Sequence, residues 1–346
     1  MKIANIEINN NSPVFIIAEL SANHNGSLEN AINTIRAAKR AGADCIKLQT
    51  YTADTITIDS KNDDFLIKQG TIWDGRILHD LYKEAYTPWE WHEKLFNVAK
   101  DEGLICFSSP FDFTAVDLLE KLNAPAYKIA SFEITDIPLI EYVASKNKPI
   151  IISTGIAELE DIELAIETCI KAGNHQIALL KCTSSYPAPI EEANLKMIAD
   201  FQSRFGVISG LSDHTMNNTS AIMSVAFGGK IIEKHFIIDR SIGGPDATFS
   251  LNENEFKTMV NEVRQAEKAF GAVNYTLTPK QKAGKDFSRS LYVVKDIKNG
   301  DKLTADNIKS IRPGFGLHPK YYYEILGKNV NKDLKKGDRL ELENII

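Results

Sequence analysis

The sequence predicts a parallel (β/α)8 TIM barrel followed by a small β-rich module. Three observations carry that prediction. Eight short apolar, β-branched runs alternate with helix-period segments, which is the number of units that closes a barrel. The runs are nearly continuous in apolar residues, as parallel strands buried on both faces must be. After Gly271 the alternation stops, and short segments broken by Lys298-Asn299-Gly300-Asp301 and Lys335-Lys336-Gly337-Asp338 take over. A doubly wound open sheet is the structural rival, but it seldom uses so many equal units.

Taken in order, residues 1–14 suit a small hairpin plugging the N-terminal end of the barrel. Strands are expected at 14–20, 45–50, 105–110, 127–131, 150–155, 177–184, 207–213 and 231–237. Helices are expected at 28–41, 89–102, 114–122, 138–145, 159–172, 193–205, 217–227 and 253–270. Gly42, Gly103 and Gly173 each follow a helical stretch, where a left-handed residue ends a helix. Two loops are long. Residues 51–88 carry Phe65, Trp73, Tyr82 and Tyr86, and residues 238–251 contain Gly243-Gly244-Pro245-Asp246. Both follow strands, so both belong to the C-terminal face, where barrels keep their chemistry. The expected division is a barrel over 1–271, a polar linker over 272–285 around Pro279, and a module over 286–346 of a size that folds alone only marginally.

Composition narrows the function classes. The 346 residues include 40 Lys and Arg against 46 Asp and Glu, a net charge of −6, and 43% are hydrophobic. Such a chain fills a core and has no general field for nucleic acid, although a local cationic pocket for a small anion is compatible with it. No run approaches the roughly 18 apolar residues of a membrane span. Residues 1–12 lack the apolar stretch of a signal peptide, so a cytoplasmic location is expected. Cys45, Cys106, Cys169 and Cys182 show no C-x-x-C spacing and read as reduced, buried thiols.

Polar residues cluster where the strands should end: Glu19, Lys47, Gln49, Ser108, Ser109, Lys128, Ser131, Ser153, Thr154, Thr183, Ser184, Ser212 to His214, Glu233 and His235. In a parallel barrel these ends converge on one rim, and buried polar groups are costly unless they are partnered. Lys47 and Gln49 are two apart, as are Glu233 and His235, so each pair faces one side of its strand. Lys47 and Lys128, each inside an apolar run and ringed by Ser109, Ser131, Ser153 and Ser184, suit a small polyanion carrying phosphate or carboxylate. Ion-paired core lysines and a Schiff-base lysine are the other readings. His214 and His235 end neighbouring strands and suit a divalent transition metal with open positions for substrate and water. Glu19 and Glu233 could serve as general base, as orienting groups or as partners of the lysines. His24 either lines the site or is a turn residue, while His79, His92, His175 and His318 look like surface or packing residues. Asp246 reaches toward a substrate or merely belongs to a turn.

Several motifs, in order, resemble the sialic acid synthase family, which condenses phosphoenolpyruvate with hexosamine-derived sugars. They are Ala18-Glu19-Leu20-Ser21-Ala22-Asn23-His24-Asn25-Gly26, Lys47-Leu48-Gln49-Thr50, Ser108-Ser109-Pro110-Phe111, Lys128-Ile129-Ala130-Ser131, Ser153-Thr154-Gly155, Ser212-Asp213-His214-Thr215, Glu233-Lys234-His235-Phe236 and Gly244-Pro245-Asp246. The tail, with Lys302-Leu303-Thr304 and Ile311-Arg312-Pro313-Gly314-Phe315-Gly316, is similar to the family's antifreeze-like SAF domain, a β-clip fold. The resemblance implies a metal, usually manganese, on His214 and His235. It implies phosphoenolpyruvate held by Lys47, Ser109, Lys128, Ser131, Ser153, Ser184 and Ser212, sugar contacts from Tyr186 and Asp246, and a substrate-binding place for Gln49. A catalytic role for Glu19, Glu233 and Asp246 goes with it. It further implies a domain-swapped homodimer in which Arg312 enters the partner's site to bind a substrate N-acyl group. Sialic and legionaminic acid synthases usually carry His after Gly-Pro-Asp, whereas this chain has Ala247 and ends the loop in Phe249-Ser250-Leu251, which looks like the pseudaminic acid synthase branch. An apolar wall there suits a 6-deoxy sugar. Ser184 also departs from the Asn that sialic acid synthases tend to carry. A sialic or legionaminic acid synthase of the same chemistry and a non-catalytic saccharide-binding protein are the alternatives.

Overall fold

The chain opens with a two-stranded antiparallel hairpin, β1 (Lys2–Ile3) and β2 (Ile6–Glu7). In this computed structural model, which describes residues 1–346, Ile3 and Ile8 pack in one cluster with Phe15, Ile17, Phe107, Ile151 and Leu180. Those five residues face the inside of the barrel that follows, so the hairpin closes its lower end.

Eight parallel strands form a closed barrel: β3 (Phe15–Glu19), β4 (Cys45–Thr50), β5 (Ile105–Pro110), β6 (Tyr127–Ile129), β7 (Ile150–Ser153), β8 (Ile177–Cys182), β9 (Ile208–Asp213) and β10 (Ile231–His235), with β10 returning to pair with β3. The helices around it are α1 (Leu28–Ala41), α4 (Trp89–Asp101), α5 (Phe113–Lys121), α6 (Ile137–Ala144), α7 (Leu159–Lys171), α8 (Lys196–Phe205), α9 (Thr219–Ala226) and α10 (Glu253–Phe270); two shorter ones, α2 (Ala53–Ile56) and α3 (Leu78–Ala85), lie in the loop after β4. Outward residues such as Ile16, Ala18, Ile46, Leu48 and Ile232 bury against Ile35, Leu95 and Met259 of these helices, and Tyr127, Ile129, Ile152 and Leu179 against Leu139, Val143, Ile166 and Phe201. Strand side chains alternate, so the complementary set points into the barrel. Local signals agree with this. Ser27 caps α1 by accepting from Asn30 N, Gly42 ends it at φ 91°, and Asn252 and Glu255 form a capping box at the start of α10.

The structure differs from expectation in three places. The run at 127–131 is a strand only to Ile129, and a 3-10 turn, Ser131–Glu133, follows; the run at 177–184 stops at Cys182. Here the polar ends leave the ladder to line the mouth. The loop at 51–88 holds α2, α3 and a Leu66–Ile77 bridge. Leu78, Leu81 and Ala85 already recur at helical spacing there. Finally, the polar stretch around Pro279 contains α11 (Pro279–Gly284), started by a Thr278–Gln281 capping box.

The chain forms two compact units, Met1–Gly271 and Ala272–Ile346. The second unit has its own core of Leu291, Val293, Ile297, Leu303, Ile308, Ile325, Val330, Leu334 and Leu340. Its regular sheet is limited to β11 (Ser290–Val293) paired with β12 (Ile308–Ile311), with a short α12 (Tyr322–Ile325); the remaining extended segments make single bridges such as Ile297–Leu334 and Val330–Ile345. Turns at Gly300 and Gly337 recur too often for longer ladders.

Candidate active site

Inside the barrel, side chains change from apolar to polar toward the C-terminal rim. Phe15 and Ile17 precede Glu19, Cys45 precedes Lys47 and Gln49, Ile151 precedes Ser153, and Ile231 precedes Glu233 and His235. These polar residues, with Lys128, Ser131, Cys182, Tyr186, Ser212 and His214, line one small cavity of about 50 Å³. Ser109 and Ser184 attach to the same network. Lys47 Nζ donates to Ser109 Oγ at 3.2 Å, and Ser184 Oγ donates to Ser131 Oγ at 2.9 Å.

Two lysines and two carboxylates occupy the floor. Lys47 Nζ lies 2.8 Å from Glu19 Oε2 and 3.4 Å from Glu233 Oε1; Lys128 Nζ donates to Ser153 Oγ at 2.7 Å and lies 4.0 Å from Glu233 Oε1. All four side chains are buried. Burial pushes Glu19 up to about 7, with Lys47 offsetting only part of that effect and the charge of Glu233 adding to it. Burial would raise Glu233 too, but Lys128 and Lys47 outweigh it and hold this carboxylate below its usual range. Two neighbouring carboxyls thus have different proton affinities, the arrangement that separates acid from base roles. Burial also lowers Lys128. Glu19 Oε1 accepts from Gln49 Nε2 at 2.8 Å, and the same amide donates to Ser21 Oγ at 2.9 Å. Ser21 in turn donates to Asp246 Oδ2, so one chain of hydrogen bonds runs from the floor to the loop after β10.

The imidazoles of His214 and His235 meet across the mouth, with ring centroids 5.3 Å apart. Their donor set fits a divalent metal. His214 Nδ1 donates to the Thr183 carbonyl at 2.8 Å, which turns Nε2 into the ring's available ligand atom; burial pulls this ring's pKa down, but the Cys182 thiol and the Thr183 carbonyl outweigh it and raise it. His235 Nδ1 is buried without a hydrogen-bond partner, and burial, with help from His214 and Lys47, keeps that ring neutral by pulling its pKa far down. No group of three or more His, Cys, Asp or Glu side chains is arranged for a metal. His214 and His235 are the side chains that could hold a cation there, with positions left for substrate.

Aromatic residues build the outer wall. Tyr186 packs on His214 at 4.4 Å and on Phe249 at 5.1 Å, and Phe249 lies 5.0 Å from His235. Ala247 and Phe249 are buried beside them. Asp246 Oδ2 is 3.8 Å from His235 Nδ1. Ser212 Oγ reaches Glu233 Oε1 at 3.4 Å. Arg312 belongs to the second unit, where it stands exposed just after β12. His24 is not part of the cavity. Its Nδ1 accepts from Gly26 N, its ring packs edge-on against Trp91 at 5.5 Å, and burial lowers it to about 4, so it is a packing residue.

Four contributors escape the sequence reading. Trp73, from the long loop, donates its indole N–H to Pro245 O and packs 5.6 Å from Tyr186 and 6.2 Å from Phe249. Glu133 has a buried, unpartnered Oε2 and is raised to about 7 by burial. Cys182, read as an inert thiol, lies 3.9 Å from His214 Nδ1. At Gly155 an added Cβ would stand 2.2 Å from Ser184 Oγ and 2.6 Å from Ser131 Oγ, so only glycine keeps this part of the cradle open. The Ser153-Thr154-Gly155 sequence offered a cue for Gly155; nothing local marked Trp73.

Comparison with known proteins adds independent findings. Residues 34–275 match the NeuB family and residues 288–345 match the SAF domain. Pseudaminic acid synthase of Campylobacter jejuni subsp. jejuni serotype O:2 is 50% identical over 341 residues, 99% of this chain and 98% of that protein. Pseudaminic acid synthase of Helicobacter pylori is 48% identical over 334 residues, 96% and 98% of the respective chains. The crystal structure of spore coat polysaccharide biosynthesis protein spsE from Bacillus subtilis superposes with a TM-score of 0.68 at 34% identity, covering 100% of this chain and 99% of that one.

Proposed function

Because this chain belongs to the NeuB family, we propose that it condenses phosphoenolpyruvate with the open-chain aldehyde of 2,4-diacetamido-2,4,6-trideoxy-altrose to give pseudaminic acid and phosphate. The observation that carries the reading is the imidazole pair standing beside a buried lysine–serine cradle in one cavity. Relatives at about half identity along nearly the whole chain, named as pseudaminic acid synthases, support the choice of sugar. So does the buried Ala247 and Phe249 wall, which suits a methyl at C6 better than a hydroxyl.

In this reading Lys47 and Lys128, with Ser109, Ser131, Ser153, Ser184 and Ser212, hold the phosphate and carboxylate of phosphoenolpyruvate. Its C3 forms the new bond to the aldehyde carbon. Water adds at C2, the C2–O bond breaks, and phosphate leaves with the electron pair. His214 and His235 would hold a divalent cation, Mn2+ by expectation, which would supply Lewis-acid chemistry toward the aldehyde when bound. Glu19 and Glu233 exchange protons with the sugar oxygen and the attacking water, and ionised Glu233 stabilises positive charge developing at C2. Gln49, Tyr186 and Asp246 orient the sugar. Fixing both reactants in one cavity supplies orientation worth up to roughly 7–11 kcal/mol. The working form is a domain-swapped homodimer in the cytoplasm, with Arg312 of one protomer on the sugar N-acyl group in the partner's site. No helix is long and apolar enough to cross a membrane.

The test is phosphate release with three sugars: the trideoxy-altrose, the legionaminic precursor and N-acetylmannosamine. Turnover is expected with the first, abolished by a chelator and restored by Mn2+. Turnover with N-acetylmannosamine alone rules out the pseudaminic reading, and activity indifferent to chelator rules out the metal.

A further inference from the structure

Few hydrogen bonds hold the two imidazoles directly. His214 Nδ1 bonds the Thr183 carbonyl and lies 3.9 Å from Cys182 Sγ, His235 Nδ1 has no hydrogen-bond partner, and the other ring contacts are aromatic packing from Tyr186 and Phe249. What fixes their backbones lies one residue away, on the opposite face of the strands. Asp213 precedes His214 and Lys234 precedes His235, and the two are direct cross-strand neighbours in the β9–β10 ladder. Because side chains alternate, Ser212, His214, Glu233 and His235 face the cavity while Asp213 and Lys234 face away from it.

There they form a fully enclosed ion pair, with side chains 2% and 1% exposed and Nζ 2.6 Å from Asp213 Oδ2. The same ammonium donates to the carbonyls of Thr215 at 2.6 Å and Asn217 at 3.2 Å. Asp213 Oδ1 accepts from Thr215 N at 2.9 Å. The segment leaving His214 is therefore folded over a lysine carried by the strand that ends in His235. A buried ion pair adds little stability relative to apolar residues of the same volume. Its distinctive effect is geometric, because three acceptors around one ammonium fix the chain that supplies them.

We propose that Asp213 and Lys234 are a positioning pair that sets the spacing of His214 and His235. The inference rests on the reading above that these imidazoles share a divalent cation. The decisive variant is the full-length double substitution Asp213→Leu/Lys234→Met, which removes both charges together and leaves no unpaired buried ion. Thermal unfolding, Mn2+ affinity by direct titration, and kcat with both KM values are measured against wild type. The expected result is a folded protein whose Mn2+ affinity falls about 10- to 100-fold, the usual loss when groups supporting metal ligands are removed. The kcat should fall with it, and excess Mn2+ should recover part of that loss. A folded double variant with wild-type Mn2+ affinity overturns the proposal. Should the double variant not fold, Asp213→Asn, which keeps the bond to Thr215 N and removes the charge, is judged by the same titration: a several-fold loss supports the proposal and an unchanged affinity overturns it. Wild-type protein that binds no Mn2+ would overturn the metal reading and this inference together, whereas equal binding by wild type and variant overturns this inference alone.

Discussion

Glu19 shows how far one residue's chemistry depends on its surroundings. Its Oε2 sits close to the Lys47 ammonium but without an aligned hydrogen bond, and burial holds the group near 7. A carboxyl in that range is protonated below neutrality and ionised above it, so a step that needs the carboxylate slows as pH falls through about 7. The kcat of the wild type should therefore show a limb near neutrality. Glu19→Gln should flatten it and lower the plateau by about 10²- to 10⁴-fold, the usual range for a general acid or base. Glu133 lies in the same range, so Glu133→Gln is the necessary control. A limb that survives in Glu19→Gln and disappears in Glu133→Gln would assign it to the wrong carboxyl in the account given above. The sequence could identify Glu19 as a candidate because a charged residue ends an apolar strand. It could not identify Glu133, whose Oε2 is buried only once the 3-10 turn after β6 forms.

At the scale of elements, the strands were legible because burial on both faces writes itself as an unbroken apolar run, and polar strand ends mark the rim. Loops carry no such periodicity. The loop after β4 was visible as long and aromatic, yet nothing local indicated that Trp73 would be pinned to Pro245 and packed against Tyr186 and Phe249. That packing lets a loop complete the aromatic wall beside the imidazoles, on the side proposed for the sugar. Trp73→Ala removes one aromatic face, and such contacts contribute about 0.5–1.5 kcal/mol each. The KM for the sugar should rise about tenfold, the KM for phosphoenolpyruvate should stay constant, and Trp73→Phe should recover most of the loss. A parallel rise in both constants in steady-state assays would place Trp73 in general loop stability instead.

For the whole molecule, charge is divided unevenly. Residues 272–346 hold 15 Lys and Arg and 9 Asp and Glu; subtracting these from 40 and 46 leaves 25 and 37 in residues 1–271, so the units carry +6 and −12. The barrel rim also exposes Phe132, Ile156 and Met216, 57%, 46% and 40% accessible, an apolar edge that suits a cover. The proposed swap would bring a basic module against an acidic barrel, and an attraction of that kind weakens as salt shortens the Debye length from about 10 Å at 0.1 M to about 3 Å at 1 M. Each unit has a separate core, so the chain ending at Gly271 should fold. That truncated barrel should bind phosphoenolpyruvate with near-native affinity, because the lysine–serine cradle lies wholly within it. It should lose sugar turnover by at least about 10²-fold, because the guanidinium expected to grip the N-acyl group has gone. In the full-length protein, Arg312→Ala should reproduce most of that loss as a raised sugar KM, and added salt should raise the same constant. Calorimetry with phosphoenolpyruvate and steady-state kinetics with both substrates separate these effects. A truncated barrel that folds and turns over sugar normally would show that the basic module has no part in the reaction.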